Sequence, residues 1–250
     1  MDILPNKSTF IQLAESSSRV PVCGQEKIPG LDLSKIFKEL FLHTKNSFLF
    51  ESAKGPEETA RYSLMGGDCS KIIEITGRRA CLYKGFELIS EWDQPGPALD
   101  LLNFEKNVLP VDYLPHFWGG WVGFIGYEAG TWFESLPLRK KTENNLPDLL
   151  FMEVEQLFLY DHVTEIFKYI LSPKTDSRSY DEIKSEIINV WNNINQVLQD
   201  IGNKTKFEHL LHPPLPSNGI KSNLNKKEYS ERVEKAKSYI QEGDIYQANL

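Results

Sequence analysis

Cysteine is scarce in this sequence. The three that occur, Cys23, Cys69 and Cys81, are odd in number and none sits in a C-x-x-C pair. That spacing excludes a disulfide framework and a zinc ribbon and leaves buried thiols as the expected state. Long hydrophobic runs are also missing: no window reaches the roughly 20 apolar residues that a membrane helix needs. The opening MDILPNKSTF has neither the basic flank nor the apolar centre of a secretory signal, so the expected location is cytoplasmic. Positive charge is in short supply as well. With a net charge of -7 and no run of Lys and Arg long enough to follow a phosphate backbone, nucleic acid is excluded as a partner and no membrane surface is implied.

What is present is enough apolar residue, 40% of 250, for one large or two ordinary domains with a sizeable core. Glycine and aromatic residues concentrate in one stretch, WGGWVGFIGYEAG from Trp118 to Gly130. Read as a strand, it alternates Gly120, Val122, Phe124 and Gly126 with Trp121, Gly123, Ile125 and Tyr127. Both faces are apolar and both carry gaps, the pattern of a central strand buried on two sides. A phosphate cradle is the rival reading, but Gly120, Gly123, Gly126 and Gly130 match neither G-x-G-x-x-G nor a loop ending in Gly-Lys-Ser/Thr. Overpacking at such a strand predicts that Gly123→Val costs about 1–3 kcal/mol.

Around that stretch the chain alternates short extended runs with a few helices. A short strand or turn falls near Val20 to Cys23. Asp32 caps a helix from Leu33 to about Thr44, with Ile36, Phe37, Leu40 and Phe41 on one face. Strands are expected at 47–52 and 61–65, separated by a polar loop marked by Gly55-Pro56. The runs 72–76, 80–83 and 86–90 read as an antiparallel meander. Pro97 opens a helical pattern that Pro110 closes. Two strands, 149–160 and 163–171, are expected on either side of an Asp161-His162 turn, followed by a helix capped by Ser179 and Glu182 and running to about Asp200. Residues 202–223, with Pro213, Pro214 and Pro216, read as a linker between a domain at 1–201 and a segment at 224–250. That last segment is expected to hold a helix from Asn225 to Gly243 and a strand from Ile245 to Leu250. One helix and one strand cannot supply a core, so the segment is expected to be the start of a longer, truncated domain.

Three stretches, taken together, resemble a known family. They are Phe50-Glu51-Ser52 with Arg61-Tyr62-Ser63, then GGWVGFIGYEAG with FESLP at 133–137, then EYSERVEKAKSYIQEGDIYQANL at the end. The chain is similar in these to the chorismate-utilising enzymes anthranilate synthase component I and aminodeoxychorismate synthase component I. The resemblance implies an α+β fold of antiparallel β-sheets with outer helices, the N-terminal part of a two-domain sandwich. It also implies magnesium-bound chorismate as substrate and ammonia from a glutamine amidotransferase partner. The ending QANL and the FESLP element look like the aminodeoxychorismate branch, which serves folate synthesis, and this branch is the expected function. The Phe-Glu-Ser element looks like the anthranilate branch, which serves tryptophan synthesis and is the alternative. After Gly130, where the family often has arginine, this chain has Thr131-Trp132.

In the family the catalytic and magnesium-binding residues lie beyond the position corresponding to Leu250, so no catalytic or metal-binding residue is assigned and the 250 residues alone are expected to be inactive. What the resemblance does carry over is a tryptophan-type pocket at Glu51, Ser52, Ala60, Arg61, Tyr62 and Ser63. A non-catalytic tryptophan-binding or partner-docking module is the alternative of another class. Without the resemblance, Ser52 and Arg61 read equally well as ordinary strand-end residues.

The remaining candidates are weaker. His209 and His212 flank prolines with no third ligand nearby, whereas zinc takes three or four. Glu128 and Glu134 fall on different faces of a short helix and read as surface charge. Lys226, Lys227, Arg232, Lys235 and Lys237 alternate with Glu228, Glu231 and Glu234, an ion-paired helix face. Tyr246, Gln247 and Asn249 are placed near an active site by the resemblance alone.

Overall fold

Between Leu149 and Leu171 the sequence is rich in apolar residues, and in the computed structural model this segment forms three strands at the centre of the fold. The structure describes residues 1–44, 46–52, 60–102, 108–134, 146–204 and 222–249. In chain order the elements are β1 (Asp2–Leu4), α1 (Lys7–Ala14), β2 (Val22–Lys27), α2 (Leu33–Phe41), β3 (Ser47–Phe50) and β4 (Tyr62–Gly67). Then come β5 (Lys71–Thr76), β6 (Arg79–Lys84), β7 (Glu87–Trp92), α3 (Gly96–Asp100), β8 (Gly120–Ile125) and a 3₁₀ turn at Tyr127–Trp132. The series closes with β9 (Leu149–Val154), β10 (Gln156–Asp161), β11 (Ile166–Leu171), α4 (Tyr180–Lys204) and α5 (Lys226–Glu242).

Two antiparallel sheets result, one ordered β1-β2-β11-β10-β4-β3 and the other β7-β6-β5-β9-β8. The chain passes from the second sheet to the first at Glu155, between β9 and β10. The sequence expectation of one strand over 149–160 is corrected here: the segment is two strands in two sheets, divided at the polar residues Glu153, Glu155 and Gln156. Alternation along the strands sorts the side chains. Leu157 and Leu159 of β10, Ile72 of β5 and Met152 and Val154 of β9 meet between the sheets. Phe158 and Tyr160 of β10 and Phe167, Tyr169 and Leu171 of β11 face the other way. There they pack under Phe10 of α1, Ile36 of α2, and Ile183, Ile187, Trp191 and Ile194 of α4. The outer face of the second sheet, with Ile73, Ile75 and Leu149, is covered by Ala98 of α3 and by tryptophans. The α+β class, with antiparallel sheets flanked by helices, is thus as expected.

Helix boundaries follow local chemistry. The Asn6 side chain accepts from Thr9 N–H at 2.9 Å and Asp32 from Lys35 N–H at 3.1 Å. Ser179 and Glu182 exchange bonds at the start of α4, and Asn225 and Glu228 do so at the start of α5. Gly243 ends α5 with φ +83°, a left-handed conformation that glycine adopts without a Cβ penalty. Contacts divide the chain into Met1–Asn203 and Lys204–Leu250.

One helix lies outside the sequence expectations and two further expectations are corrected. Helix α1 was not foreseen, because its single buried residue, Phe10, gives a weak periodic signal. Helix α3 ends at Asp100 and does not run on as the Pro97 to Pro110 pattern suggested, although 103–107 lie outside the described residues. Residues 245–249 form no strand, since no described residue of their own unit offers an edge to pair with. The Gly55-Pro56 loop, most of the linker and Leu250 lie outside the described residues.

The larger correction concerns β8. Among the described residues it is an edge strand with β9 as its one neighbour, and Gly123, Phe124 and Ile125 are exposed. Only Val122 turns into the core between the sheets. Its apolar content therefore does not report burial on two sides.

Candidate functional site

The residues singled out from the sequence come together where β3 ends and β4 begins. Antiparallel pairing places Phe50 opposite Leu64, so the chain leaving β3 at Glu51 and Ser52 lies alongside Tyr62 and Ser63. On its other side β4 pairs with β10, which sets Tyr62 against Asp161 and Ser63 against Tyr160. The turn after β10 thereby brings Asp161 and His162 to the same end of the sheet.

Hydrogen bonds fix this arrangement. Ser52 N–H donates to Ser63 Oγ at 2.8 Å, and Ser52 Oγ donates to the Tyr62 carbonyl at 2.6 Å. Ser63 is buried, and its Oγ lies 2.7 Å from His162 Nε2. The His162 backbone N–H donates to the Arg61 carbonyl at 2.9 Å. The Arg61 guanidinium grips the buried Asp161 carboxylate through two bonds, Nε to Oδ1 at 3.1 Å and Nη2 to Oδ2 at 2.8 Å. Its planar group also lies 5.0 Å from the centre of the Tyr62 ring. Ala60 and Tyr62 are half-buried and Glu51 is exposed.

Chemically, the site offers acceptors more readily than donors. With its hydrogen committed to Tyr62, the Ser52 oxygen presents lone pairs, and Glu51 adds an exposed carboxylate. Both suit an ammonium group. Arg61 is engaged with Asp161 and holds the strand end in place.

Asp161 and His162 were read from sequence only as a turn. An Asp can cap a turn through its own side chain, and here its Oδ1 accepts from Val163 N–H at 3.0 Å. That local signal was available. The pairing with Arg61, which depends on strand register, was not.

Burial pushes the Asp161 carboxyl up, but the Arg61 guanidinium and the N–H groups of Val163 and Thr164 more than offset this and hold it below its usual range. A depressed folded value means the interaction contributes fully above the unfolded carboxyl's pKa of about 3.9 and is lost as pH falls through the folded value. Asp161→Asn is therefore expected to cost about 1 kcal/mol at pH 7, the partly exposed guanidinium being screened by water. In urea titrations the difference from wild type should shrink steadily below about pH 3.9 and not above it.

Among the described residues, no group of three or more His, Cys, Asp or Glu is placed to hold a metal ion. The magnesium implied by resemblance finds no ligand set there, and no step is routed through it. His209 and His212 lie outside the described residues, as do Ser135 to Pro137 of the FESLP element. Glu128 and Glu134 are both exposed. No described helix is long and apolar enough to cross a membrane.

Two antiparallel sheets with helices outside, and a hydrogen-bonded polar cluster where β3 ends and β4 begins, define an α+β protein. Residues 45–250 match the family described as chorismate binding enzyme, and the chain belongs to that family. Among curated relatives it is 29% identical over 234 residues to anthranilate synthase component 1 of Acetivibrio thermocellus, covering 86% of this chain and 44% of that protein. It is 27% identical over 252 residues to anthranilate synthase component 1 of Streptomyces coelicolor, covering 99% and 45%. A solved structure of anthranilate synthase component I from Streptococcus pneumoniae aligns with a TM-score of 0.44 at 21% identity, over 88% of this chain and 46% of that one. The chain thus spans less than half the length of these relatives.

These relatives overturn the expected aminodeoxychorismate assignment. The names are those of the anthranilate branch, and the similarity runs along almost the whole chain. The QANL and FESLP elements that favoured the other branch are a handful of residues, too few to outweigh it.

Proposed function

We propose that the chain is the N-terminal portion of an anthranilate synthase component 1, a cytoplasmic enzyme that converts chorismate to anthranilate with ammonia from a glutamine amidotransferase partner. The observation that carries this reading is the similarity to proteins of that name along 86% and 99% of the chain. In this reading the role of the described residues is to bind and regulate, and the chemistry belongs to the remainder of the enzyme. The test is an assay of the intact enzyme with chorismate, magnesium and ammonia. Fluorescent anthranilate is the expected product, and accumulation of 4-amino-4-deoxychorismate in its place would overturn the assignment.

Within that enzyme, Glu51, Ser52 and Ala60 to Ser63 form the proposed tryptophan site. The Ser52 oxygen and Glu51 carboxylate suit the amino acid's ammonium, and the half-buried Tyr62 ring suits one edge of an indole. Titration calorimetry with tryptophan up to millimolar concentration tests it. Binding is expected, and Ser52→Ala should weaken it by about tenfold, the worth of one hydrogen bond to a charged group. Absence of both heat and a melting shift would remove the tryptophan site while leaving the product assay unaffected.

A further inference from the structure

Ser63 supports the Ser52 site from within the sheet, and its hydrogen bonds leave one arrangement of hydrogens. A hydroxyl has one hydrogen to give and two lone pairs to receive. One lone pair takes the Ser52 N–H at 2.8 Å. The other neighbour is His162 Nε2 at 2.7 Å, and among the described residues the hydroxyl has no second acceptor. At 1% exposure Ser63 is also shut off from water. Since a buried hydroxyl hydrogen is costly to leave unpaired, it goes to Nε2. His162 is therefore a neutral imidazole with its own hydrogen on Nδ1.

The ring is well placed for this. Its backbone N–H donates to the Arg61 carbonyl at 2.9 Å, and the Tyr160 ring meets it edge-on at 4.9 Å between centroids. The charged groups around it are engaged elsewhere. Asp161 is bound by Arg61 and by Val163 N–H and stays ionised, Glu165 lies 3.8 Å from Lys27, and Glu51 is exposed. The Tyr160 hydroxyl donates to the Ile28 carbonyl at 3.1 Å. His162 is itself exposed, so water can deliver a proton. Protonation turns Nε2 from acceptor into donor. Whether the imidazolium then donates to Ser63 Oγ or swings into solvent, the Ser63 hydrogen loses its acceptor. The hydroxyl can regain one only by turning, which takes its lone pair off the Ser52 N–H. A positive charge is also added beside a site suited to an ammonium.

We propose that His162 is a positioning residue of this site: while neutral it fixes Ser63 and through it Ser52, and on protonation it releases Ser52 and weakens the hold on an ammonium-bearing ligand. The ligand part rests on the tryptophan site proposed above, and the Ser52 part does not. The purified protein is titrated from about pH 7.5 to about pH 5, where imidazoles take up a proton. The Ser52 amide and the His162 ring nitrogens are followed by NMR. At about pH 7.5 the ring hydrogen is expected on Nδ1, and the Ser52 amide should move in step with the ring as it protonates. In His162→Gln, whose side-chain oxygen accepts from Ser63 at every pH, the Ser52 amide should stay in place. Tryptophan affinity by calorimetry should fall about tenfold across the titration in wild type and less than about twofold in His162→Gln. A ring hydrogen on Nε2 at about pH 7.5 would overturn the proposal. So would a Ser52 amide that does not move, one that moves equally in the glutamine variant through titration of Glu51, or a tryptophan affinity indifferent to pH. If tryptophan binds at neither pH, the tryptophan site falls and the two sets of resonances decide the role of His162. Locating the ring hydrogen needs no variant, so a glutamine variant that fails to fold leaves that decision intact.

Discussion

Trp191→Ala is expected to destabilise the protein by about 3–5 kcal/mol, the range for removing a buried tryptophan from a core. Trp191 is 1% exposed and lies between α4 and the first sheet, with its ring edge-on to Phe167 at 5.9 Å between centroids. The sheet accepts so large a side chain because β2 carries Gly24 beneath it. A Cβ at Gly24 would stand 2.4 Å from Trp191 Nε1 and 2.6 Å from Ile187 Cγ2. The indole and the bare backbone are therefore complementary, and their substitutions should not add. Alone, Gly24→Ala is expected to cost about 1–3 kcal/mol by overpacking. In the Trp191→Ala background the contact with the indole is gone but Ile187 Cγ2 still stands 2.6 Å from the new methyl, so the cost should fall clearly without vanishing. Urea denaturation of the four proteins in the cycle measures this. Additive costs would show that α4 does not dock through this pair. The indole N–H has no hydrogen-bond partner among the described residues, so the stabilisation comes from packing and not from a polar contact.

The residues of α4 that make this contact were legible. Ile183, Ile187, Trp191 and Ile194 repeat at three and four residues, a period that forces one face inward whatever lies opposite. The caps at Asp32, Ser179 and Asn225 were equally plain, because a cap is decided within four residues. The meander of β5 to β7 was readable from its turn residues for the same reason. What could not be read was anything that depends on which strand lies beside which. Leu149 to Asp161 is two apolar runs separated by Glu153, Glu155 and Gln156, and those polar residues alone do not say that the two halves belong to different sheets. In the site, Ser52, Arg61 and Ser63 could be named by resemblance, but their partners Asp161 and His162 lie some hundred residues away and meet them only through the register of β4 on β10. The branch is beyond the reach of short motifs for a related reason: it is decided by similarity along the whole chain.

The second large effect is expected at Gly123, for a reason opposite to the one its sequence suggests. In a strand buried on both faces, substitution would fail by side-chain volume, and valine would be far worse than alanine. Here a Cβ at Gly123 would lie 1.8 Å from the Leu150 carbonyl oxygen and 2.8 Å from Phe151 Cα. Both are backbone atoms of β9 and neither can swing aside. The clash begins with the first carbon, so Gly123→Ala and Gly123→Val should cost nearly the same, about 3 kcal/mol each, the upper part of the overpacking range. Because β8 is an edge strand with Phe124 and Ile125 already in solvent, the expected failure is local. The strand should part from β9 while the helices stay packed on the first sheet. Amide exchange is expected to accelerate along Gly120–Ile125 and along the facing edge of β9, with β10 and β11 protected as in wild type. A valine variant several kcal/mol less stable than the alanine one would restore the doubly buried strand. Unchanged stability in both would mean that the glycine serves something other than the close approach of two backbones.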